Sequence, residues 1–448
     1  MPKGTQKDFK FIDLFAGIGG FHAALSAYGG KCVYGVEIDS DAAKVYERNW
    51  GLKVHGDINS DVTDDAVNIP NHDVLCAGFP CQPFSKSGAQ RGMEETRGTL
   101  YWSILKIIRE RRPALVVLEN VRNLAGPRHA HEWQVIIETL RLEKYRVSEE
   151  PGVFSPHLLP RKLGGRPQVR ERVFIVAVRD DSLGDDEIQI EYPVVSNLPV
   201  AGWNPNGWDI ERDLPLDDQV EVEQCKLGDI ERHWIDAWDD FVIGMWELRE
   251  GLRLPGFPMW GDNWVLLNDL DIPENTPEWK ANFLRKNAAF YTEYQEFIDQ
   301  WAAKWDFYTD KFPPSRRKLE WQAQGTPRLW DTVMHFRPSG IRAKRPTYLP
   351  ALVAITQTSI IGSRKRRLSP REAARLQGLP DWYEFGEQKP AATYKQLGNG
   401  VSVGAVWYVV RQAVKQHEGI LKKSCPALVK NVLAAPENPD VALNQLRH

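Results

Sequence analysis

The most constraining feature of the sequence is an alternation of short apolar runs with helix-length amphipathic stretches between residues 9 and 180. This alternation is typical of βαβ units, in which helices join parallel strands and cover the sheet. The continuous aliphatic runs at 115–118 and 173–178 indicate strands that are buried on both faces at the centre of the sheet. We therefore expect an α/β fold with a doubly wound, mostly parallel, Rossmann-like sheet. The expected strands are FKFIDLF, VYGVEI, VHGDI, DVLCAG and ALVVLEN, and the expected helices lie around 20–28, 40–49, 99–111 and 133–144.

The length of the chain predicts a second, smaller domain. At 448 residues it exceeds the roughly 250 to 300 residues at which a single hydrophobic core stops growing. Composition changes near residue 181, and most of the 17 tryptophans lie between Trp203 and Trp330. Amphipathic helices are expected over roughly 277–308, with an aromatic core face favoured over a platform for stacked bases. The predicted division is a first domain at 1–185, to which the candidate cofactor and catalytic motifs described below belong, a second domain at 186–365, a return segment at 366–425 containing a helix with a glycine-rich entry, and a peripheral tail at 426–448.

Charge and cysteine usage exclude several classes of protein. With a net charge of −3, any binding of nucleic acid must depend on local basic clusters. The five cysteines form no CxxC pair, which argues against a zinc site or a disulfide framework. No apolar run reaches 18 residues, and the opening MPKGTQKDFK lacks the core of a secretory signal. We therefore expect a soluble, cytoplasmic protein with no membrane partner.

A glycine loop at residues 13–21, DLFAGIGGF, follows the first predicted strand and opens a helix. Backbone amides at such a helix end can receive a polar ligand, although a tight turn alone would also explain the loop. Two carboxylates favour the ligand, because Glu37 and Asp57 end the next two predicted strands, and a carboxylate at the position of Glu37 can accept hydrogen bonds from ribose hydroxyls. The full GxGxxG spacing is missing, which argues against a dinucleotide. S-adenosylmethionine fits this half-site best.

Cys81 is the candidate nucleophile. It lies in GFPCQPFS, directly after the fourth predicted strand, at the sheet edge where open α/β sheets place their ligands. A thiol there becomes a nucleophile when nearby positive charge favours the thiolate. Lone cysteines are more often small buried hydrophobes, and we expect that role for Cys32 and Cys76, which lie inside apolar strands.

Charged residues at two further strand ends are candidate partners of the thiol. Glu119 ends the fifth predicted strand, where it could protonate a ring nitrogen or merely cap the following helix. Arg170 and Arg172 are spaced two apart just before another strand, which places them on the same side of an extended segment. A cluster of surface charges is the alternative interpretation of this pair.

Together these motifs resemble the DNA (cytosine-5) methyltransferase family, in particular bacterial type II modification methyltransferases. The resemblance covers about 1–180 and 366–410, and the family carries its target-recognition domain in the region between them. The matching motifs, which occur in the order and at the spacing of the family, are DLFAGIGGF, EID, GDI, GFPCQPFS, RGTLYW, LENV, QVRERVFIV, RLSPREAARLQGLPD and YKQLGNGVSV.

The resemblance implies methylation of cytosine C5 within a specific double-stranded DNA site, with S-adenosylmethionine as the methyl donor and no metal. It implies that the cytosine is flipped out of the duplex, that Cys81 adds to C6, that Glu119 protonates N3, and that Arg170 and Arg172 lie near the base and the thiol. The implied cofactor contacts are Phe15, Gly17, Gly19, Glu37, Ile38, Asp57, Pro80, Leu100 and Asn399. Gly400 stands where the family often has serine, so a side-chain contact is lost there.

DNA contacts are expected on both sides of the active site. The loop 85–96 would close over the flipped base, and basic clusters outside the catalytic motifs would hold phosphates. Thr347 lies in a setting similar to the Thr-Leu stretch that the family uses for recognition. The expected DNA-binding residues are Gln82, Ser85, Arg317, Arg342, Arg345 and Thr347.

The resemblance further implies a monomeric, nucleoid-associated protein of prokaryotic or phage origin that could act beside a separate restriction endonuclease. An RNA methyltransferase of the tRNA-modifying branch is the main alternative, and the long middle region disfavours it. A catalytically silent DNA-binding relative is disfavoured by the intact Pro80-Cys81-Gln82 and Glu119-Asn120-Val121. A thiol oxidoreductase would need a second cysteine beside Cys81.

Overall fold

The computed structural model of the protein describes residues 8–80, 99–184, 189–217, 222–352 and 358–446. The strands are β1 Lys10–Leu14, β2 Lys31–Val36, β3 Val74–Gly78, β4 Leu115–Val121, β5 Tyr145–Val147, β6 Gly152–Phe154, β7 Gln168–Val169, β8 Arg172–Arg179, β9 Met259–Trp260, β10 Lys318–Gln322, β11 Val333–Arg337, β12 Gly340–Lys344, β13 Leu349–Pro350, β14 Ile360–Ile361 and β15 Arg366–Arg367. The helices are α1 Gly20–Ala27, α2 Ser40–Trp50, α3 Ile58–Asp61, α4 Leu100–Arg111, α5 Ala130–Leu142, α6 Ile210–Asp213, α7 Asp229–Leu248, α8 Glu278–Glu293, α9 Gln295–Lys304, α10 Pro370–Gln377, α11 Pro390–Asn399, α12 Val403–Gln416, α13 Glu418–Ser424, α14 Pro426–Ala434 and α15 Pro439–Leu443. Short 3₁₀ turns connect many of these elements.

The main sheet has the order β2-β1-β3-β4-β8-β5, and β6 pairs with β8. Strands β1 to β4 are parallel, whereas β8 runs antiparallel to β4. The aliphatic runs that predicted central strands form β4 and β8, and these strands lie side by side. The predicted α/β class with a doubly wound, parallel-rich sheet is therefore confirmed, and the four predicted helices occur within a few residues of their expected bounds.

Helices cover both faces of the main sheet. Because side chains alternate along a strand, Phe11 and Val117 point into a core formed with α1 and α12, while Ile12 and Val116 point into a second core formed with α4 and α5. Trp407 of α12 stacks on Tyr28 with a centroid separation of 3.6 Å, which joins the return segment to the first helix. The chain therefore completes its first domain only after residue 400.

Two elements differ from the expectation. The predicted strand VHGDI forms only a single bridge, between Val36 and His55, and then turns into α3. Asp57 is the reason, because its carboxylate accepts the Asn59 amide and thereby caps the first turn of that helix. The single helix expected after residue 391 is two helices, α11 and α12, separated at Gly400 and restarted by the cap residue Ser402.

The segment after residue 425, which we expected to be peripheral, packs into the main core. Leu428 and Val432 of α14 are completely buried, and Leu443 of α15 is nearly so. Asp440 forms an ion pair with Arg166 of the first domain. Burial of these apolar side chains shows that α14 and α15 complete the hydrophobic core.

The second region is built around a smaller sheet with the order β15-β14-β11-β12-β10-β9. Helices α7 to α9 cover one of its faces, and their aromatic residues, among them Trp238, Phe241 and Trp301, form a third core cluster with Leu319 and Ile341 of the sheet. The predicted aromatic core face is therefore confirmed. Trp279 is an exception, since 62% of it is exposed.

The two regions are joined by strand pairing and by shared core residues. Strand β13 pairs in parallel with β7, with Leu349 opposite Gln168. Val333 and Ile361 of the second sheet belong to a core cluster of the main sheet. Every helix in the described ranges is too short or too polar to traverse a lipid bilayer.

Candidate active site

The carboxyl ends of the four parallel strands meet at one edge of the main sheet, where a cleft of about 460 Å³ opens. The antiparallel strand β8 begins at this same edge, and the C-terminal end of α11 closes one side. The lining residues are Phe15, Gly17, Val36, Glu37, Ile38, Gly56, Asp57, Ile58, Gly78, Phe79, Pro80, Leu100, Glu119, Asn120, Val121, Arg172, Gly398 and Asn399. The cleft thus brings together every predicted cofactor residue except Gly19, and two of the four predicted catalytic residues.

The glycine loop holds the carboxylate of Glu37. The Gly17 amide donates to one carboxylate oxygen at 2.8 Å, and the Asp39 amide donates to the other at 2.8 Å. Gly17 adopts a φ of +54°, which costs glycine little, whereas Phe15 adopts a similar φ of +56° despite its bulky side chain. Non-glycine residues in this conformation are strained, and such strain clusters at ligand sites. The loop and the carboxylate are therefore one preorganised unit.

The surroundings of Glu37 fit a nucleoside. Ile38 lines the cleft and is 79% exposed, so it presents an uncovered apolar surface against which a planar base could pack. Asp57 lines the cleft beside it, with its Oδ1 atom already bound by the Asn59 amide at 3.0 Å. An apolar side chain flanked by two carboxylates suits adenine and ribose, so these residues fit S-adenosylmethionine.

Gly19, a predicted cofactor residue, lies outside the cleft. It has a φ of +86°, and a Cβ atom there would come within 2.3 Å of the indole nitrogen of Trp50. Gly19 therefore allows α2 to approach the loop closely, and its position is explained by packing.

Glu119 lies at the carboxyl end of β4 and is buried. Its Oε1 atom is 3.0 Å from Nε of Arg172, the first residue of β8. Burial raises the pKa of Glu119 above its ordinary value, while the positive charges of Arg172 and Arg170 oppose the rise. A carboxyl group that is held in place and retains its proton more readily than usual can act as a general acid in the cleft.

Asn120 is a site residue that the sequence reasoning did not single out. Its side-chain amide donates to the carbonyl oxygen of Phe79 at 2.8 Å, and its own Oδ1 accepts the Val121 amide at 2.8 Å. These bonds tie the end of β4 to the segment Phe79-Pro80 that leads into the PCQ motif. A polar side chain next to Glu119 at a buried strand end was the signal for it. Cys81, Gln82 and Ser85 lie outside the described residues.

Arg170 does not line the cleft. It is only 1% exposed, and its guanidinium donates to the carbonyl oxygens of Leu352 at 3.1 Å, Gly398 at 2.8 Å and Gly400 at 2.6 Å. Burial, with Arg172 nearby, lowers its pKa to about 9. Arg170 lies in the short connection between β7 and β8, close enough to Glu119 and Arg172 for their charges to interact, but of the two arginines Arg172 lines the cleft. That both arginines lie near the base and the thiol stays a prediction.

Arg317, predicted to bind DNA, is committed to the protein. Its Nη1 atom lies 3.0 Å from an oxygen of Asp262, and its other nitrogens donate to the carbonyl oxygens of Phe307 and Thr309 at 3.1 Å and 3.0 Å. Three arginines of the basic run at 364–367 are also paired within the protein, Arg364 with Glu211, Arg366 with Glu372 and Arg367 with Glu231. The basic run at 364–367 therefore joins segments of the fold.

The other predicted DNA-binding residues lie near the junction of the two regions. Arg342, on β12, forms an ion pair with Glu320 at 2.5 Å. Arg345 and Thr347 follow in the half-buried segment that leads from β12 to β13. Because β13 pairs with β7, this segment leads towards β7, and Arg170 and Arg172 follow β7 closely in the sequence.

Comparisons with known proteins agree on one family. Residues 9–415 match the family model described as C-5 cytosine-specific DNA methylase. The type II methyltransferase M.AluI of Cellulosimicrobium cellulans is 48% identical over an alignment that covers 100% of this chain and 99% of that protein. The type II methyltransferase M.HhaI of Haemophilus parahaemolyticus is 30% identical, with 89% and 92% covered. Among solved structures, the S. pombe Dnmt2 methyltransferase aligns with 91% of this chain and 99% of its own at 14% identity and a TM-score of 0.44.

Proposed function

The chain belongs to the C-5 cytosine-specific DNA methylase family, and we propose that Cys81, Glu119 and Arg172 carry out the methylation chemistry. The protein is a DNA (cytosine-5)-methyltransferase related to type II modification enzymes, and S-adenosylmethionine is the methyl donor of this family. The observation that carries the assignment of residues is the cleft at the carboxyl edge of the sheet, where the candidate nucleoside site and Glu119 lie side by side.

Glu37, Ile38 and Asp57 hold the nucleoside of the methyl donor in this proposal. The Glu37 carboxylate, already oriented by two backbone amides, accepts hydrogen bonds from the ribose hydroxyls. Ile38 packs against the adenine ring, and Asp57 accepts a hydrogen bond from its amine. Bound there, S-adenosylmethionine supplies the methyl group that cytosine C5 receives.

The target cytosine must leave the duplex, because its reacting atoms are stacked inside the helix. The thiolate of Cys81 then adds to C6, and Glu119 gives its proton to N3, so that the electron pair raises the nucleophilicity of C5. Arg172 orients Glu119 through their ion pair. After methylation, C5 loses its proton to solvent, the C6–S bond breaks and N3 returns its proton to Glu119, which restores the thiolate, the carboxyl group and the aromatic ring.

Residues 186–365 form the target-recognition domain in this proposal, and 1–185 with 366–425 form the catalytic domain. The pairing of β13 with β7 supports this division, since it places part of the second region beside the segment that leads into β8 and Arg172. Base readout would then come from side chains around Arg345 and Thr347. By analogy with its type II relatives, we propose a cytoplasmic monomer that protects DNA from a separate restriction endonuclease.

Substitution of the nucleophile tests the reaction. Cys81→Ser should abolish methyl transfer while S-adenosylmethionine and DNA still bind, because a hydroxyl of high pKa fills the same space but does not add to C6. Bisulfite sequencing of DNA from expressing cells and single-turnover transfer of labelled methyl groups measure the loss. Cys76→Ala, in the buried strand β3, is the control and should keep the single-turnover rate.

Near-normal transfer by Cys81→Ser would remove this residue from the mechanism. Transcribed tRNA belongs in the same assay as a second substrate. Methylation of tRNA with unmodified DNA would identify the RNA-modifying branch instead.

A further inference from the structure

Asp57, which contacts the adenine amine in the proposed function, lies at the start of a segment that is too short to hold its own position. We call residues 57–64 the adenine segment. Its helix, α3, contains only four residues, and one isolated helical turn is unstable in water because its nucleation is unfavourable. The Asp57 carboxylate caps this turn through the Asn59 amide, so its orientation in the cleft depends on where α3 lies. Contacts from outside the adenine segment must therefore fix it.

Helix α4 supplies such contacts. The side-chain nitrogen of Lys106 donates to the carbonyl oxygens of Thr63 and Asp64, just beyond α3. One turn earlier on the same helix, the Ser103 hydroxyl donates to Oδ1 of Asn59 at 3.3 Å. Residues three apart lie on the same side of a helix, which explains why both donors reach the adenine segment.

The burial of Lys106 is unusual for a lysine. It is only 9% exposed, whereas lysines are rarely buried unless they are paired with a carboxylate. Among the residues that the structure describes, Lys106 forms no ion pair, and its Nζ atom lies 5.3 Å from the ring centroid of Trp102. Burying an uncompensated charge costs free energy, and an apolar side chain of similar size would avoid that cost. The two carbonyl contacts are therefore the feature that only a long cationic side chain provides at this position.

The same helix also reaches the cleft and the chain beyond the adenine segment. At its N-terminal end, Leu100 lines the cleft together with Asp57. At its C-terminal end, Arg111 donates to the carbonyl oxygens of Ile69, at 2.6 Å, and of Val67. Helix α4 thus forms part of the cleft wall and holds the segment that carries the candidate adenine-binding carboxylate.

We propose that Lys106, assisted by Ser103, is a positioning residue that makes the cofactor site selective for adenine. By fixing the adenine segment, it keeps the Asp57 carboxylate where it accepts a hydrogen bond from the adenine amine. A purine with a carbonyl in place of this amine would present an acceptor to the carboxylate, and neither group would then find a donor. The inference rests on the proposed function, since it takes S-adenosylmethionine as the ligand and Asp57 as the contact to its base.

Binding of two nucleosides that differ at the amine position tests the inference. Calorimetry on the full chain measures the affinity for S-adenosylhomocysteine and for S-inosylhomocysteine, in which a carbonyl replaces the amine. The wild-type protein should prefer the adenosyl compound by roughly ten-fold or more, the scale for a hydrogen bond to a charged group. In Lys106→Met this preference should fall by roughly five-fold, mostly through weaker binding of the adenosyl compound. Ser103→Ala should lower the preference by a smaller factor.

Thr139→Val is the matched control. The Thr139 hydroxyl lies 2.9 Å from the hydroxyl of Tyr101, so this variant disturbs α4 where it contacts α5. Both affinities, and hence the preference, should stay at their wild-type values. Thermal unfolding of each variant establishes that the fold is intact, and Ser103→Ala provides the test if Lys106→Met does not fold.

An equal loss of affinity for both compounds in the folded Lys106→Met variant would overturn the inference, because it would mark Lys106 as a general support of the fold. An unchanged preference would overturn it as well. Asp57→Ala separates these results from a failure of the proposed function. If Asp57→Ala abolishes the preference and Lys106→Met does not, only the inference fails. If neither substitution changes the preference, or the wild-type protein has none, the proposed nucleoside site fails with it.

Discussion

Two charged side chains near the cleft, Glu119 and Arg170, are both buried but have different hydrogen-bond partners. Glu119 keeps one cationic partner, Arg172, and opens onto the space where a base would lie. Among the described residues, Arg170 forms no ion pair with a carboxylate, and it donates hydrogen bonds to three backbone carbonyls. The first arrangement suits a group that exchanges a proton, whereas the second suits a group that fixes the backbone around it. We therefore assign chemistry to Glu119 and a positioning role to Arg170.

Glu119→Gln should lower the single-turnover rate of methylation by roughly 10²- to 10⁴-fold, the usual range for loss of a general acid, with little change in cofactor affinity. The pH dependence gives a further test. Because burial raises the pKa of Glu119, its protonated form persists to higher pH, and the wild-type rate should fall as pH rises through that pKa. The amide variant should lack this fall. A rate equal to that of the wild type, with the same pH profile, would exclude the role.

Glu37→Ala and Asp57→Ala should each weaken S-adenosylmethionine binding by about 1 to 3 kcal/mol, the scale for hydrogen bonds to a charged group. The structure separates two contributions at Glu37, since its carboxylate also anchors the amides of Gly17 and Asp39. Glu37→Gln retains one acceptor oxygen and should therefore lose less affinity than Glu37→Ala. Isothermal calorimetry measures all three, and unchanged affinities in both alanine variants would contradict the nucleoside site.

At the scale of elements, periodicity predicted what depends on local pattern. Aliphatic runs located β4 and β8, and the aromatic spacing located α8 and α9. The prediction failed where a single side chain overrides the pattern, as when Asp57 caps α3 inside an expected strand. The deep burial of Arg170 was not foreseen, because the break between β7 and β8 cannot be seen in a run of polar residues. The cleft itself was predictable, since strand-end residues of parallel strands converge by topology.

Arg170 also predicts how the return segment is held. Arg170→Gln should lower the free energy of unfolding by about 2 kcal/mol, because buried carbonyls lose their donor, at about 1 to 3 kcal/mol each, while the cost of burying the charge is relieved. Urea denaturation measures the change. Arg411→Gln is the matched control, since Arg411 also donates to two carbonyl oxygens but at the surface, where water can replace it. Equal losses of unfolding free energy in the two variants would show that burial of Arg170 does not add to its contribution to stability.

At the scale of the whole molecule, the features that the sequence did not predict are contacts between residues far apart in the chain. Nothing local shows that α14, after residue 425, would fill the first core. Nor does a local pattern indicate that Val333 and Ile361 of the second sheet would join the same core. These contacts join residues far apart in the chain, and only the folded chain brings them together. The predicted domain limits therefore divide a hydrophobic core to which both regions contribute residues.

The last prediction concerns those limits. Grafting residues 186–365 onto the catalytic domain of a relative such as M.HhaI should transfer the methylated DNA site, because base readout is placed within that segment. The graft keeps the ion pair between Glu211 and Arg364 but separates Asp217 from Arg375, which are 2.6 Å apart. We therefore expect the chimera to unfold more easily than either parent. Bisulfite reads from expressing cells identify the site, and methylation of the recipient's own sequence would return specificity to the catalytic domain.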